Sequence, residues 1–220
     1  MSLIGRRSAL KLLWAAASHK EWSILPLGDS ITAGGTSFHS YRGPLARMVR
    51  QAGFTVRWVG SQSTPADEPL LPHDGYPGKP IQYLAVNMRR IYSAHPADII
   101  LLHAGHNHTV EEKPIPGIIA STREIIQIAR RINPKVITLL AQVIPSGKLP
   151  KYAYIPALNV QLAALSKDMN TKASPVILVD QAKGFDAQAD TIADHVHPNQ
   201  RGAEKMARVW FDALRPILQP

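Results

Sequence analysis

The sequence predicts a three-layer α/β/α sandwich built around a parallel sheet of five strands. Its apolar runs show no polar alternation, which is typical of strands that are buried on both faces. Helix-length segments separate these runs, so successive strands have room for right-handed crossovers. Strands are predicted over 22–27, 54–59, 97–102, 135–143 and 175–180, and helices over 41–52, 81–93, 115–132, 153–172 and 200–214.

Turn-forming residues mark the ends of several of these elements. Gly28-Asp29-Ser30 closes the first apolar run, and Gly28 is expected to supply backbone angles that are closed to other residues. Gly53 ends the first long helix, and Asn133-Pro134 ends the third. The polar, Pro-rich stretch over 61–80 is too long to be a simple connector.

The composition is that of one globular domain, which is expected over 21–220. The chain has 220 residues, 45% of them hydrophobic, and can therefore bury a core of ordinary size. It has no cysteine, which excludes disulfides and a thiolate nucleophile. The formal net charge is +9 at pH 7, but Lys and Arg are scattered and aromatic residues do not interleave with them. Nucleic-acid binding is therefore not predicted, whereas an acidic substrate or matrix would suit this charge.

Residues 1–20 form an N-terminal segment with two interpretations. Residues 6–18 combine Arg6-Arg7, an apolar stretch and small residues, as a secretory signal does. Because Lys11 interrupts the apolar stretch, the alternative is a retained amphipathic helix that packs on the domain. The protein would be secreted or periplasmic in the first case and cytoplasmic in the second. Nothing else approaches the length of a transmembrane span, so no membrane span is predicted.

Polar residues gather just beyond four of the five predicted strands. Because the carboxyl ends of parallel strands meet at one edge of a sheet, these four clusters are expected to lie close together. Each is a weak signal alone, but together they predict one site. The clusters are Gly28-Asp29-Ser30, His-Asp-Gly-Tyr-Pro-Gly over 73–78, His-Ala-Gly-His-Asn-His over 103–108, and Asp-His-Val-His-Pro over 194–198.

The clusters contain the groups that an acyl-transfer site needs. Ser30 is the candidate nucleophile and His197 the candidate general base, since a helix N-terminus behind His197 would favour its neutral form. Asp194 is the candidate group that orients His197, and its spacing favours it over Asp186 and Asp190.

Donors to an oxyanion are also available in these clusters. The candidates are the backbone N–H groups of Ser30 and Gly78 and the side-chain amide of Asn107. Asp29 is expected to support the turn rather than to react. This scheme requires no cofactor and no metal.

Four short blocks of the chain resemble those of the SGNH (GDSL-type) hydrolases. In order, they read Gly-Asp-Ser, Gly-Tyr-Pro-Gly, Gly-His-Asn and Asp-His-Val-His-Pro, and the resemblance covers about residues 22–202. It implies a flavodoxin-like sandwich and an ester-hydrolysing triad of Ser30, Asp194 and His197.

The same resemblance puts Gly78 and Asn107 at the family's oxyanion positions. The stretch over 73–78, together with Val59-Gly60-Ser61, looks most like the branch of acetyl xylan esterases and related carbohydrate esterases. One block departs from the pattern Gly-x-Asn-Asp, because His108 stands where that pattern has Asp. This departure puts the local support of the Asn107 loop in question.

The sequence therefore predicts a serine esterase that removes short acyl groups, acetyl foremost, from a carbohydrate. The substrate would be a small-molecule or polysaccharide ester. Lipase, lysophospholipase and thioesterase activities stay open, because apolar residues over 144–155 would also suit a longer acyl channel. Two further alternatives are a glycan-binding module without catalysis, in which the candidate residues only cap turns and helices, and a metal hydrolase. The metal site would use five histidines: His103, His106, His108, His195 and His197. The sequence leaves the sugar and the oligomeric state open.

Overall fold

The computed structural model describes residues 20–64 and 70–219, which form a parallel sheet between two layers of helices. The strands are β1 (Trp22–Gly28), β2 (Val56–Trp58), β3 (Asp74–Gly75), β4 (Ile99–His103), β5 (Ile137–Gln142) and β6 (Val176–Asp180). The five longer strands lie in the order β2-β1-β4-β5-β6, and β3 pairs with the carboxyl end of β1. Because this order is that of flavodoxin-like sheets, the predicted fold class is confirmed.

Helices cover both faces of this sheet. They are α1 (Ser30–Ala33), α2 (Arg42–Gln51), α3 (Ile81–Ala94), α4 (Ile115–Ile132), α5 (Ile155–Met169) and α6 (Gln200–Leu218), with a 3₁₀ turn over Val110–Glu112. α3, α4 and α5 pack on one face of the sheet, whereas α2 and α6 pack on the other.

Consecutive residues of the central strands enter opposite cores. Ile24 of β1 and Ile99 of β4 belong to the cluster under α2 and α6, whereas Leu25 and Ile100 belong to the cluster under the other three long helices. All four side chains are fully buried. A strand that is covered on both faces has no position that faces solvent, which is why these runs read as unbroken apolar stretches.

The ends of the chain differ from the sequence prediction or lie outside the described residues. α6 continues to Leu218, beyond the predicted end at 214, with Pro216 inside its last turn. The buried side chain of Leu218 packs into the core there, and only one helical hydrogen bond is lost to the proline. Of the predicted N-terminal segment over 1–20, only Lys20 is described. Within residues 20–64 and 70–219, no helix combines the length and apolar character that a bilayer crossing requires.

Gly28 is required by close packing rather than by its backbone angles. It is not among the glycines with positive φ, so that expectation from the sequence is wrong. A Cβ atom at this position would instead overlap the carbonyl oxygen of His103 on β4 and the hydroxyl of Thr32. The glycine therefore lets β1 and β4 approach at the point where both strands end, and the loops after them start side by side.

Arg42 is a charged side chain that is fully buried at the start of α2. Its guanidinium donates hydrogen bonds to the carbonyl oxygens of Thr32, Ala33 and Leu71, at 2.7, 2.8 and 2.6 Å. Thr32 and Ala33 end α1, and the last carbonyl groups of a helix have no partner within it. Arg42 shares these two carbonyl groups with the hydroxyls of Ser40 and Thr64, and it ties the helix that begins at Ser30 to α2.

Replacing Arg42 with Met is expected to lower the free energy of unfolding by about 3 kcal/mol or more, because three hydrogen bonds from a charged donor to backbone carbonyl groups are lost. Denaturant-induced unfolding measures this change. Arg47→Met, at an exposed position on the same helix, is the control and should change the free energy by less than about 0.5 kcal/mol. Equal losses in the two variants would contradict the role assigned to Arg42.

Candidate active site

Ser30 begins the short helix that follows β1. Asp29 is the N-cap residue of α1, and its Oδ1 atom accepts the N–H of Ile31 at 3.0 Å. This cap turns the chain sharply at the carboxyl end of β1. The partly exposed Ser30 side chain therefore lies at the edge of the sheet, where the polar clusters are predicted to meet.

Ser30, His197 and Asp194 form a continuous hydrogen-bonded line. The Nε2 atom of His197 lies 2.8 Å from the Oγ atom of Ser30, and its Nδ1 atom lies 2.5 Å from Oδ2 of Asp194. With the Nδ1 proton donated to the carboxylate, Nε2 carries the lone pair that can accept the Ser30 proton. The fold thus brings together two segments that lie 167 residues apart in the sequence, in the geometry that nucleophile activation requires.

The Asp194 carboxylate has two further donors within its own loop. Its Oδ1 atom accepts the backbone N–H groups of Val196 and His197, at 2.9 and 3.0 Å. Burial alone would raise the pKa of Asp194, but the hydrogen bonds from the His197 ring and from these two amides lower it below its ordinary value. Asp194 is therefore ionised at neutral pH and can stabilise a protonated imidazole.

The two competing carboxylates support the loop before α6. Asp190 is fully buried and lies 2.7 Å from both Nε of Arg201 and Nζ of Lys205. Asp186 accepts the backbone N–H groups of the residues two and three positions later. Asp194 is thus the carboxylate that contacts the His197 ring.

The ring of Phe38 stacks on the imidazole of His197, with centroids 4.2 Å apart and an interplanar angle of 30°. The backbone N–H of His39 donates to the carbonyl of Pro198 at 3.1 Å, which fastens the Phe38 loop to the His197 loop. Phe38 therefore covers one face of the imidazole and limits its rotation. Sequence reasoning missed Phe38, because no spacing rule connects a loop aromatic with a histidine near the other end of the chain.

Gly78 and Asn107 lie on neighbouring loops beside the end of β1. The backbone N–H of Tyr76 donates to the carbonyl of Gly28 at 2.9 Å, which anchors the turn that carries Gly78. Gly78 has a φ of 71°, in the left-handed region that glycine adopts readily. The Nδ2 atom of Asn107 donates to the carbonyl of Lys79 at 2.9 Å. Because a carboxamide has two N–H donors, one can fix the side chain while the other serves a ligand.

His108 supports the Asn107 loop. Its Nδ1 atom lies 2.8 Å from a carboxylate oxygen of Glu112, and its Nε2 atom lies 3.0 Å from the amide oxygen of Gln82. The histidine therefore links this loop to α3 and to the 3₁₀ turn. His108, which stands where the Gly-x-Asn-Asp pattern has Asp, thus holds the loop through its own contacts with Glu112 and Gln82.

Two more histidines, His103 at the end of β4 and His106 in the loop after it, are buried. His103 and His106 are buried side by side with ring centroids 5.8 Å apart, and the Nε2 atom of His106 bonds to the carbonyl of Ile144 at 3.0 Å. Burial lowers the pKa of His103 to about 3 and that of His106 to about 4, so both are neutral at pH 7. In the part of the chain that the structure describes, no three His, Asp or Glu side chains form a group that could hold a metal ion.

The carboxyl group of Asp29 is buried directly behind Ser30. Its Oδ2 atom has no hydrogen-bond partner among the described residues. Burial raises the pKa of Asp29 from 3.8 to about 6, against the opposing effects of the Ile31 N–H and of His197. The ionised form therefore destabilises the fold, and the stability that Asp29 provides falls as pH rises from about 4 to about 6.

Asp29→Asn removes this titration, so the variant should gain stability relative to the wild type as pH rises. The difference between their free energies of unfolding is expected to change by about 3 kcal/mol between about pH 4 and pH 7. Urea unfolding at several pH values measures it, and a constant difference would contradict the prediction.

Asp98→Asn is the control with the opposite sign. Burial would raise the pKa of Asp98, but the hydrogen bonds from Ser23 and Lys20 outweigh it and lower the pKa. The contribution of Asp98 is therefore present above its unfolded pKa and lost as pH falls, so Asp98→Asn loses stability relative to the wild type as pH rises.

Known proteins that are named as esterases align with most of this chain. A multidomain esterase from Ruminococcus flavefaciens is 28% identical over 249 aligned residues, which include 96% of this chain and 30% of that relative. The chain thus spans about a third of the length of this relative. Two solved carbohydrate esterases of family 3 have the same fold, and each match covers 90% of this chain and 98% of the other. The one from Talaromyces cellulolyticus is 24% identical with a TM-score of 0.80, and the one from Clostridium thermocellum is 26% identical with a TM-score of 0.79.

The model of the GDSL-like lipase/acylhydrolase family matches residues 27–205, which is most of the chain. The match begins within β1 and extends into α6, so it includes every loop of the candidate active site. The family predicted from the four sequence blocks is thereby confirmed. The chain belongs to the GDSL-like lipase/acylhydrolase family.

Proposed function

We propose that this chain is a serine esterase that removes short acyl groups, acetyl foremost, from carbohydrate esters. The observation that carries the proposal is the hydrogen-bonded line from Ser30 Oγ through the His197 ring to Asp194. A hydroxyl, an imidazole and a carboxylate thus follow one another in the order that nucleophilic attack on an ester requires.

In the proposed reaction, Ser30 Oγ attacks the ester carbonyl carbon while His197 Nε2 accepts its proton. Asp194 stabilises the resulting imidazolium. The tetrahedral intermediate then breaks its bond to the sugar oxygen, which takes the proton from His197, and the acyl group stays on Ser30. Water attacks this acyl-enzyme, giving one proton to His197, and the carboxylic acid leaves as Ser30 regains a proton.

The developing oxyanion needs donors on the opposite side from the leaving group. We assign this role to the backbone N–H groups of Ser30 and Gly78 and to the second N–H of the Asn107 carboxamide. The contact between Asn107 and the carbonyl of Lys79 supports the assignment, because it holds the amide beside the Gly78 turn. A donor that is fixed before the reaction pays no reorganisation cost when charge develops.

The packing of the segment over 144–155 supports a short acyl group. Four of its large apolar side chains are buried in the two cores: Ile144, Tyr152, Tyr154 and Ile155. Leu149 is the large apolar side chain of this segment that is exposed. Residues that would otherwise line a channel for a long acyl chain are thus used for internal packing, which favours an acetyl esterase over a lipase.

The accessibility of the site and the names of the relatives support a carbohydrate as the alcohol. Ser30 is partly exposed, and the His197 side chain is 23% exposed, so an ester carried on a polymer can reach the nucleophile. The two family 3 relatives are named as carbohydrate esterases. A glycan-binding module without catalysis has the same exposure, and activity assays distinguish it.

Active-site labelling and a substrate panel test the proposal together. A fluorophosphonate should form an adduct on Ser30, and acetate should be released from acetylated xylan and from aryl acetates faster than longer acids from their aryl esters. Ser30→Ala should lower turnover by about 10⁴-fold or more and abolish the adduct, whereas Ser37→Ala, an exposed position nearby, should retain both.

The other outcomes contradict specific parts of the proposal. A Ser30 adduct with preference for long acyl chains would keep the mechanism and move the substrate to lipids. Binding of acetylated xylan without acetate release, in wild type and Ser30→Ala alike, would indicate a glycan-binding module. The absence of both a fluorophosphonate adduct and acetate release would overturn the proposed catalysis.

Asn107→Ala tests the oxyanion assignment. It should lower kcat by about 10²–10³-fold and change KM much less, because the lost hydrogen bond strengthens only in the transition state. Asn87→Ala is the matched control, since its carboxamide also donates to a backbone carbonyl but lies on α3. A rise in KM with unchanged kcat would contradict the assignment, because it would show that Asn107 binds the ground state and the transition state equally.

A further inference from the structure

The loop between Asp194 and His197 contains a residue in an unfavourable backbone conformation. His195 has a φ of 57°, and Lys113 is the other non-glycine residue with positive φ among the described residues. The left-handed region is disfavoured for residues with a Cβ atom and persists where surrounding contacts enforce it. Here the unusual conformation lies inside the segment that sets the distance between the carboxylate and the imidazole.

This conformation determines the contacts of Asp194. The chain reverses at His195, and the backbone N–H groups of Val196 and His197 then point back to the Asp194 carboxylate. If His195 relaxed to a negative φ, the following peptide planes would rotate and these two donors would leave the carboxylate. The His197 ring would move with them, away from Ser30.

A second loop holds the reversed segment. The carbonyl oxygen of His195 accepts the backbone N–H of Gly147 at 2.9 Å and the hydroxyl of Ser146 at 2.8 Å. The Ser146 oxygen in turn accepts the backbone N–H of Lys148 at 3.2 Å. The Ser146 side chain is buried, so no water replaces its hydrogen bond without rearrangement of the loop.

The close approach of the two loops also depends on Gly147. A Cβ atom there would lie 2.7 Å from Nε2 of Gln188 and 3.0 Å from Cβ of His195. The loop after β5 is therefore shaped to reach the carbonyl of His195. It contributes none of the triad or oxyanion residues, so its contact with the His197 loop needs another explanation.

We propose that Ser146 is a positioning residue: its hydroxyl holds the carbonyl of left-handed His195 and thereby keeps His197 aligned between Asp194 and Ser30. The expected effect of Ser146 on turnover rests on the proposed function, whereas its expected effect on the position of the His197 ring does not. Ser146 acts through His195, and Gly147 supplies the second hydrogen bond of the same clamp.

Ser146→Ala should lower kcat for an aryl acetate by about 10-fold and leave KM within about 2-fold, because alignment of the base is lost while the acyl site is intact. Ser166→Ala is the matched control, since this buried hydroxyl also donates to a backbone carbonyl, that of Val176, but lies between α5 and β6. It should lower the melting temperature similarly and leave kcat unchanged. Equal kcat in wild type and Ser146→Ala, or equal losses in both variants, would overturn the proposal.

A double-variant cycle tests the role of the backbone conformation. Glycine adopts positive φ without penalty, so His195→Gly removes the need for the clamp. In that background Ser146→Ala should lower kcat by less than about 3-fold, whereas in His195→Ala, which keeps a Cβ atom, the loss should stay near 10-fold. Equal losses in the two backgrounds would overturn the proposal.

Proton NMR separates this inference from the proposed function. The Nδ1 proton of His197, shared with Asp194 at 2.5 Å, should give a strongly downfield resonance in the wild type and in Ser166→Ala. In Ser146→Ala this resonance should broaden or disappear. If the resonance is lost in Ser146→Ala but the wild type hydrolyses no ester, the positioning role of Ser146 is supported and the proposed esterase activity is contradicted. An unchanged resonance in Ser146→Ala would overturn the positioning role.

Discussion

The close approach of β1 and β4 at Gly28 is the constraint on which the site depends. A side chain at this position would overlap the backbone of His103, so glycine alone lets the two strands end level with each other. The loop of Ser30 then starts beside the loop of Asn107. The hydrogen bond from Tyr76 to the Gly28 carbonyl brings the third loop to the same point. One missing Cβ atom therefore places the candidate nucleophile and two sets of candidate oxyanion donors within one small region.

Two carboxyl groups near the imidazole have opposite environments, and the difference separates their roles. Asp194 accepts three hydrogen bonds, and its pKa is lowered despite burial. Asp29 is buried behind Ser30 with one oxygen unpartnered among the described residues, and burial raises its pKa to about 6. A carboxylate that must stabilise an imidazolium needs the first environment. The second suits a group that caps a turn and costs stability when it ionises.

The sequence predicts the fold and the composition of the candidate site well, because both follow from short-range patterns. Unbroken apolar runs predict strands that are buried on both faces, and the parallel order then brings the four polar clusters to one edge. The contacts that shape the site come from residues with no such pattern. Arg42 reads as an exposed helical residue, and Phe38 as a loop aromatic, until the fold places them against α1 and His197. The left-handed conformation of His195 likewise has no signal in the sequence.

Each residue of the candidate site is held by a neighbouring loop or helix rather than by its own segment alone. Arg42 holds the helix of Ser30, and His108 holds the loop of Asn107 through Gln82 and Glu112. Apart from Ser30 at the start of α1, loops supply the polar groups of the candidate site, and a loop by itself has too few contacts to fix a side chain within a fraction of an ångström. Alignment of the imidazole must then come from contacts between loops, and the hydrogen bonds to the His195 carbonyl are the ones that reach the His197 loop from the loop after β5. The residues that support the candidate site therefore extend beyond the four sequence blocks that identify the family.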